Sequence, residues 1–185
     1  MKFRFFAIAA FVLAAGSPAA QENLADPTVV VEVGDDGIVI ERPSLWEVGF
    51  MRGPTILLYF IGAGDGFPHF TAMSDRESAL DPDASADRSR DAIEDLFATI
   101  SSSDEILDAQ WVQINGLEVH SSLAVRGSVA GRIQRRRLLL VHEGAPYILV
   151  WAHYEENYAE VADLIEHCVN SLKLGHGPGS IAAAQ

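Results

Sequence analysis

Five arginines crowd into a short part of the sequence, at positions 126, 132, 135, 136 and 137. The rest of the chain is acidic, and the formal net charge is −13 at pH 7. Side chains alternate along a strand, so Arg135 and Arg137 are predicted on one face, with Arg132 and Arg136 on the other. The rigid donor fork of a guanidinium suits carboxylates and phosphates. Two interpretations stay open. Arg132, Arg135, Arg136 and Arg137 either pair with surrounding acids and shield a sheet face, or bind an anion or an acidic partner.

A glycine-rich loop follows a predicted strand and has to be compared with a dinucleotide-binding fingerprint. Gly62, Gly64 and Gly66 are spaced one residue too tightly at the third glycine. Phe67 and Pro68 come next, where the fingerprint requires a helix whose N-terminus would hold a pyrophosphate. The sequence therefore predicts a plain loop.

An alternation of oxygen-bearing residues has some likeness to a calcium loop. Its members are Asp81, Asp83, Ser85 and Asp87. Ala86 stands where such a loop needs glycine, and Ala92 stands where it needs a bidentate glutamate. We predict a polar linker whose Asp83, Ser85 or Asp87 caps the following helix, and we predict no metal site and no cofactor.

Catalytic residues are not indicated by any local motif. The six histidines, at positions 69, 120, 142, 153, 167 and 176, show no His-Glu-x-x-His spacing. Ser128 lies between Gly127 and Gly131, one residue too far apart for a nucleophile elbow. We therefore predict a protein that is not an enzyme, while a hydrolase site assembled from distant Ser, His and Asp residues remains an alternative.

The N-terminus has the pattern of a secretory signal. Lys2 and Arg4 precede an apolar run over 5–15, and small residues follow up to Ala20. The run is shorter than the roughly 20 residues that span a bilayer. Residues 1–20 are predicted to be a signal peptide cleaved after Ala19 or Ala20. We expect a periplasmic or secreted protein with no stable membrane insertion after cleavage, whose acidity disfavours binding to nucleic acid.

The elements after the signal predict one α+β domain over 21–174, with helices packed on an antiparallel sheet. Alternating or β-branched runs predict strands at 29–33, 38–40, 56–61 and 67–73, then a meander over 117–125, 133–141 and 147–151 that opens at Asn115-Gly116. A first helix is predicted from the spacing of Ile93, Leu96, Phe97 and Ile100. A second helix carries the stripe Val161, Leu164, Ile165, Cys168 and Leu172. Cys168, the single cysteine, is predicted to be a packed thiol. The tail, 175–185, is predicted to be flexible.

The order of four short segments resembles that of the PsbP/DcrB-like group, which includes photosystem subunits, envelope proteins of the DcrB and LpqN kinds and a nuclear-import factor. The segments are Ile38-Val39-Ile40 running into Pro43 and Trp46, Asn115-Gly116, Glu143-Gly144-Ala145-Pro146-Tyr147, and Asn170-Ser171-Leu172-Lys173. They span residues 30–174. The group usually has Phe where Leu172 stands.

The resemblance implies a PsbP-like α+β fold and non-catalytic work as an assembly factor, chaperone or binding module, and it implies no catalytic residue. From it we expect an exported binding or assembly module of the bacterial cell envelope whose partner is another envelope protein or a small anionic ligand. A small anionic-ligand carrier and an envelope hydrolase are the alternatives.

Overall fold

A computed structural model describes residues 28–34, 37–49, 55–62, 67–74, 79–81 and 85–175. The predicted signal peptide, 1–20, and all but the first residue of the predicted tail, 175–185, lie outside the described residues. None of the helices in these ranges is long and apolar enough to cross a membrane.

The largest element is a seven-stranded antiparallel sheet with strand order β3-β4-β5-β9-β8-β7-β6. Its strands are β3 (Glu47–Val48), β4 (Ile56–Ile61), β5 (His69–Ser74), β6 (Glu105–Ile114), β7 (Leu117–Ser128), β8 (Gly131–His142) and β9 (Ala145–Tyr154). The strand predicted over 67–73 corresponds to β5, but the ladder begins at His69 because Pro68 has no N–H to donate. Strands β7, β8 and β9 form the predicted three-strand meander, and each extends beyond its predicted limits. Strand β6, for which no limits were predicted, pairs with β7 and adds a fourth strand to the meander.

The tight turns of this meander follow from residues that tolerate positive φ angles. Asn115 and Gly116 have φ values of 50° and 84°, and Glu143 and Gly144 have 50° and 78°. Two consecutive positive φ values give a two-residue loop whose twist matches that of the flanking strands. The Asn115 side chain also donates 2.9 Å hydrogen bonds to the carbonyls of Asn170 and Leu172, which joins this turn to the end of the chain's second helix.

The structure has a second, three-stranded sheet, whereas the sequence predicted a single sheet. It consists of β1 (Thr28–Val33), β2 (Ile38–Pro43) and β10 (Lys173–Leu174), in the order β1-β2-β10. The last strand pairs antiparallel with β2 after the second helix has returned the chain to the N-terminal hairpin. A two-residue strand carries no periodic signal, so only the tertiary pairing reveals it.

The two helices lie on opposite faces of the main sheet. Helix α1 (Ala86–Ile100) begins at Ser85, whose hydroxyl accepts a 3.3 Å bond from the Arg88 N–H, so the predicted capping group is present. Helix α2 (Tyr158–Asn170) follows a 3₁₀ turn and packs with the small sheet on the other face.

The main core lies between α2, the small sheet and the main sheet. Its fully buried members include Ile38, Ile40, Leu138, Leu149, Trp151, Ile165, Cys168 and Leu172. The predicted stripe on α2 is correct for Ile165 and Cys168, whereas Leu164 and Val161 stay partly exposed. Leu172 is buried as predicted but lies beyond the end of α2. Val169 is buried as well, because α2 contacts both sheets and its buried arc is turned towards Ile165 and Val169.

Candidate functional site

Arg137 is the most buried of the clustered arginines, and it lies on the α1 face of the sheet. Its side chain is 3% exposed and pairs through Nη2 with the Asp104 carboxylate, which is 0% exposed. Its Nη1 donates a 2.8 Å bond to the Ser101 hydroxyl. Burial lowers the pKa of Arg137. The turn that follows α1 thus supplies both partners and ties the helix end to β8.

Arg126 shares the same carboxylate. Its Nε donates a 2.5 Å bond to Asp104 Oδ1, and its Nη2 donates at 3.1 Å to the carbonyl of Ile100 in the last turn of α1. A cation at that position satisfies an end carbonyl and complements the negative end of the helix dipole. Arg126 and Arg137 are therefore structural residues of the connection between α1 and β6.

Two further arginines are paired with acids elsewhere. Arg132 is exposed and donates to Glu155 at 2.5 Å and to Glu105 at 2.8 Å, and these bonds raise its pKa. Arg136 points to the opposite face, where its Nη2 donates to Glu166 of α2 at 3.3 Å. The four arginines nominated from the sequence therefore do not form one patch.

Arg135 differs from its neighbours because no carboxylate of the described residues pairs with it. It is half-buried and shares the α1 face with Arg137. Burial lowers the pKa of Arg135, and the positive charge of Arg126 lowers it further. On this face Arg126 and Arg137 share the carboxylate of Asp104, and Arg135 adds a third positive charge. The result is a local excess of positive charge in a chain whose net charge is negative.

Aromatic rings border Arg135 on the side away from α1. Arg135 lies opposite Ala152 on β9, and Ala152 lies opposite His69 on β5, so both flanking side chains point to the same face. The Phe67 ring is 4.8 Å from the His69 ring and 4.7 Å from the Tyr154 ring. All are half-buried. We call Phe67, His69, Arg135 and Tyr154 the arginine–aromatic face.

Helix α1 covers a different part of the same sheet surface. Its contacts fall on β6, β7 and β8: Phe97 lies 4.4 Å from the His120 ring, and Glu94 accepts a 3.3 Å bond from Trp111. The Ser101 contact with Arg137 marks the end of the covered region. Among the described residues, no hydrogen bond or ring contact joins α1 to the arginine–aromatic face.

Beneath α1 lies a small polar cluster that sequence reasoning did not find. His120 and Ser122 point to one face of β7 and are buried. His120 Nδ1 and Ser122 Oγ have no hydrogen-bond partner, so they are not bonded to each other. Burial lowers the pKa of His120. Ser122 and His120 are therefore not joined as a nucleophile and its base.

The other motifs of the sequence have structural roles where they are described. The Ser128 hydroxyl donates at 2.9 Å to the Gly131 carbonyl and accepts at 3.2 Å from Ala130 N–H, inside the β7–β8 turn. The Gly62 N–H donates to the Pro68 carbonyl at 2.7 Å. Gly64, Gly66 and Asp83 lie outside the described residues. In the described part of the chain, no three His, Cys, Asp or Glu side chains are grouped as metal ligands.

Three surface depressions are lined by described residues. Two flank α1 and have volumes of about 190 and 240 Å³, below the roughly 300 to 1,000 Å³ of ligand pockets. The third, about 340 Å³, includes Arg132 but also Glu155 and Glu156, whose charges would repel an anion. None of the three combines the volume and the charge that a carrier of small anions needs.

The residues that sequence reasoning missed are Asp104 and Ser101. Asp104 pairs with Arg126 and Arg137, and Ser101 accepts a bond from Arg137, so that Arg135 is the arginine of this face without a described carboxylate partner. Asp104 lies in the short polar stretch between α1 and β6, and a lone acid there has the appearance of an ordinary loop residue. Its role becomes visible only when the turn is placed against β7 and β8.

Solved structures with the same architecture identify the fold. PsbP (CyanoP) from Synechocystis aligns over 86% of this chain and 98% of its own, with a TM-score of 0.61 and 12% identity. LpqN of Mycobacterium tuberculosis, involved in cell envelope biogenesis, aligns over 81% and 91% with a TM-score of 0.51 and 10% identity. A Pseudomonas aeruginosa protein of unknown function aligns over 79% of this chain and 96% of its own, with a TM-score of 0.51 and 12% identity. No family model and no curated protein matches the sequence. The chain has the PsbP-like α+β fold that the order of its sequence segments predicted.

Proposed function

We propose that this chain is an exported, non-enzymatic binding module of the bacterial cell envelope, and that it binds an acidic segment of a partner protein through the arginine–aromatic face. The observation that carries the proposal is Arg135, a half-buried guanidinium that no described carboxylate neutralises in an acidic chain. An unpaired cation at such a position is costly to keep unless something outside the chain uses it.

The surroundings of Arg135 favour a protein surface as the ligand. Interface anchors are enriched in arginine and aromatic residues, and here Phe67, His69 and Tyr154 form a ring cluster on the same sheet face as Arg135. A carboxylate of the partner would accept hydrogen bonds from the Arg135 guanidinium, and side chains next to that carboxylate would cover the aromatic rings.

The cell-envelope part of the proposal rests on two supports. One is the signal peptide predicted for residues 1–20, and the other is the shared fold with LpqN, which is involved in envelope biogenesis. The non-enzymatic part rests on the sequence, in which no local motif indicates catalytic residues, and on the family resemblance, which implies none.

The test compares two arginine variants of equal charge change. Arg135→Gln removes the proposed anchor, and Arg88→Gln removes an exposed arginine from the first turn of α1. The probes are a ten-residue polyglutamate peptide and inorganic phosphate, measured by calorimetry at low salt. We expect the peptide to bind, Arg135→Gln to weaken it roughly tenfold to a hundredfold, as loss of a charged hydrogen bond does, and Arg88→Gln to have little effect.

Each remaining outcome has a definite meaning. Equal weakening by both variants would show a general charge effect and would contradict a site at Arg135. Binding of phosphate as tight as that of the peptide, and lost in Arg135→Gln, would replace the partner protein with a small anion. Arg135→Gln should leave stability unchanged or slightly raised, because no internal ion pair is broken.

A further inference from the structure

Strand β6 forms a long, free edge of the main sheet. Within the described ranges it pairs with β7 alone, and it runs for ten residues, from Glu105 to Ile114. The opposite edge of the same sheet is β3, which has only two residues. A long edge strand presents a row of unpaired backbone N–H and C=O groups on its outer side. Residues 105–110 are all exposed.

This edge lacks most of the features that keep strand edges from pairing. Residues 105–114 contain no lysine, arginine or proline, the residues that commonly block an edge. Ile106 is 40% exposed and Leu107 is 50% exposed. A bulge interrupts the ladder between Ile106 and Asp108, but pairing with β7 is regular from Asp108 to Ile114. Seven consecutive residues therefore offer a regular template.

The charges around the edge are negative. Asp87, Asp91 and Glu94 recur at helical spacing on the exposed side of α1, next to the face of β6 that carries Trp111. Asp108 is exposed on the opposite face of β6, because it pairs with Leu123 whereas Trp111 pairs with His120. Helix α1 is held next to β6 by the bond from Trp111 to Glu94. The nearby cation Arg90 is occupied by Glu118. An incoming strand would thus meet an acidic border.

We propose that β6 binds an extended, basic segment of a partner protein by strand addition. Backbone hydrogen bonds would supply affinity, and lysines or arginines on one face of the segment would lie beside Asp108, while those on its other face would lie beside the acids of α1. This interaction is independent of Arg135 and of the acidic ligand proposed for the other surface.

A second copy of this chain fits the edge less well. Antiparallel pairing of two β6 strands places a twofold axis perpendicular to the sheet, so both α1 helices lie on the same side of the joined sheet. Their acidic borders would then face each other across the junction, and two chains of net charge −13 would repel. The charge pattern therefore selects a basic partner.

The experiment uses a ten-residue peptide of alternating valine and lysine, acetylated and amidated, with a fluorescent label. Its backbone control carries N-methyl groups on alternate residues, which removes donors along one edge and keeps every charge. The protein variants are Asp108→Lys and the matched control Asp163→Lys, which makes the same charge change on an exposed position of α2. Arg135→Gln serves as a control for the other surface.

We expect the unmethylated peptide to bind and the N-methyl peptide to bind far less. Asp108→Lys should weaken binding about fivefold to tenfold at low salt, the scale expected for reversing one exposed charge, while Asp163→Lys and Arg135→Gln should not. Amide exchange should slow in residues 105–114. Three results would overturn the proposal: equal binding of the N-methyl peptide, protection confined to other strands, or a dimer in sedimentation that Asp108→Lys dissociates.

Discussion

Replacing Asp104 with asparagine tests whether one buried carboxylate holds the end of α1 to the sheet. The carboxylate is 0% exposed and serves two arginines, one of which, Arg137, is 3% exposed. Asparagine keeps the size and one acceptor oxygen but removes the charge. Arg137 would then be a buried cation that has the Ser101 hydroxyl and a neutral amide as partners but no carboxylate among the described residues.

The expected loss follows from the burial of the two partners. Removing one member of a buried ion pair costs about 3 to 5 kcal/mol, since the other charge is left uncompensated. Arg126 is 32% exposed and can be solvated in part, so it adds little to the loss. Because asparagine keeps one oxygen that can accept a hydrogen bond, the loss of stability should lie near the lower end of this range. We expect Asp104→Asn to lower the free energy of unfolding by about 3 kcal/mol.

The assay is equilibrium urea unfolding followed by circular dichroism, with Asp163→Asn on the exposed side of α2 as the control. The control should stay within about 0.5 kcal/mol of the parent. Adding Arg137→Met to Asp104→Asn should recover part of the loss, because no buried cation remains. A loss below about 1 kcal/mol in the single variant would refute the reasoning and would mean that water reaches the pair.

Three further predictions concern other parts of the core. Ile165→Ala should cost about 2 to 5 kcal/mol in urea unfolding, and Leu164→Ala clearly less, because Leu164 is partly exposed; equal losses would contradict the described orientation of α2. Burial lowers the pKa of His120, so between pH 7 and 5 the unfolded chain binds a proton that the native chain does not. The free energy of unfolding should therefore decrease as the pH is lowered from 7 to 5. His120→Phe should flatten this decline, and an unchanged slope would be contrary evidence. Burial raises the pKa of Cys168 to about 12, so a thiol reagent at pH 8 should react only as fast as the protein unfolds, and rapid labelling of native protein would disprove the burial.

Local patterns were sufficient to predict much of the fold. Strand β4 coincides with its predicted limits, and the Asn115-Gly116 turn has the two positive φ angles that such a pair adopts readily. The two-residue strands β3 and β10 could not be predicted, since so few residues carry no periodicity. The separation of the N-terminal hairpin into its own sheet depends on β10 pairing with β2, a contact between distant parts of the chain.

The same distinction applies to the candidate site. Alternation along β8 was enough to place Arg135 and Arg137 on one face, because side-chain direction in a strand is a local property. Which of them is neutralised depends on Asp104, more than 30 residues away from Arg137 in the sequence. The rings of Phe67 and Tyr154 likewise meet only because β5 pairs with β9.

The measurement that tests the central claim most directly is a side-chain NMR titration of Arg135. The Nε–H signal, assigned by its loss in Arg135→Gln, is followed while the polyglutamate peptide is added to the purified protein. We predict that the Arg135 signal shifts until the peptide saturates the protein and that its exchange with solvent slows. The Arg137 signal should not shift, because the Arg137 guanidinium is already paired with Asp104. An unchanged Arg135 signal at peptide concentrations that saturate binding would contradict the account.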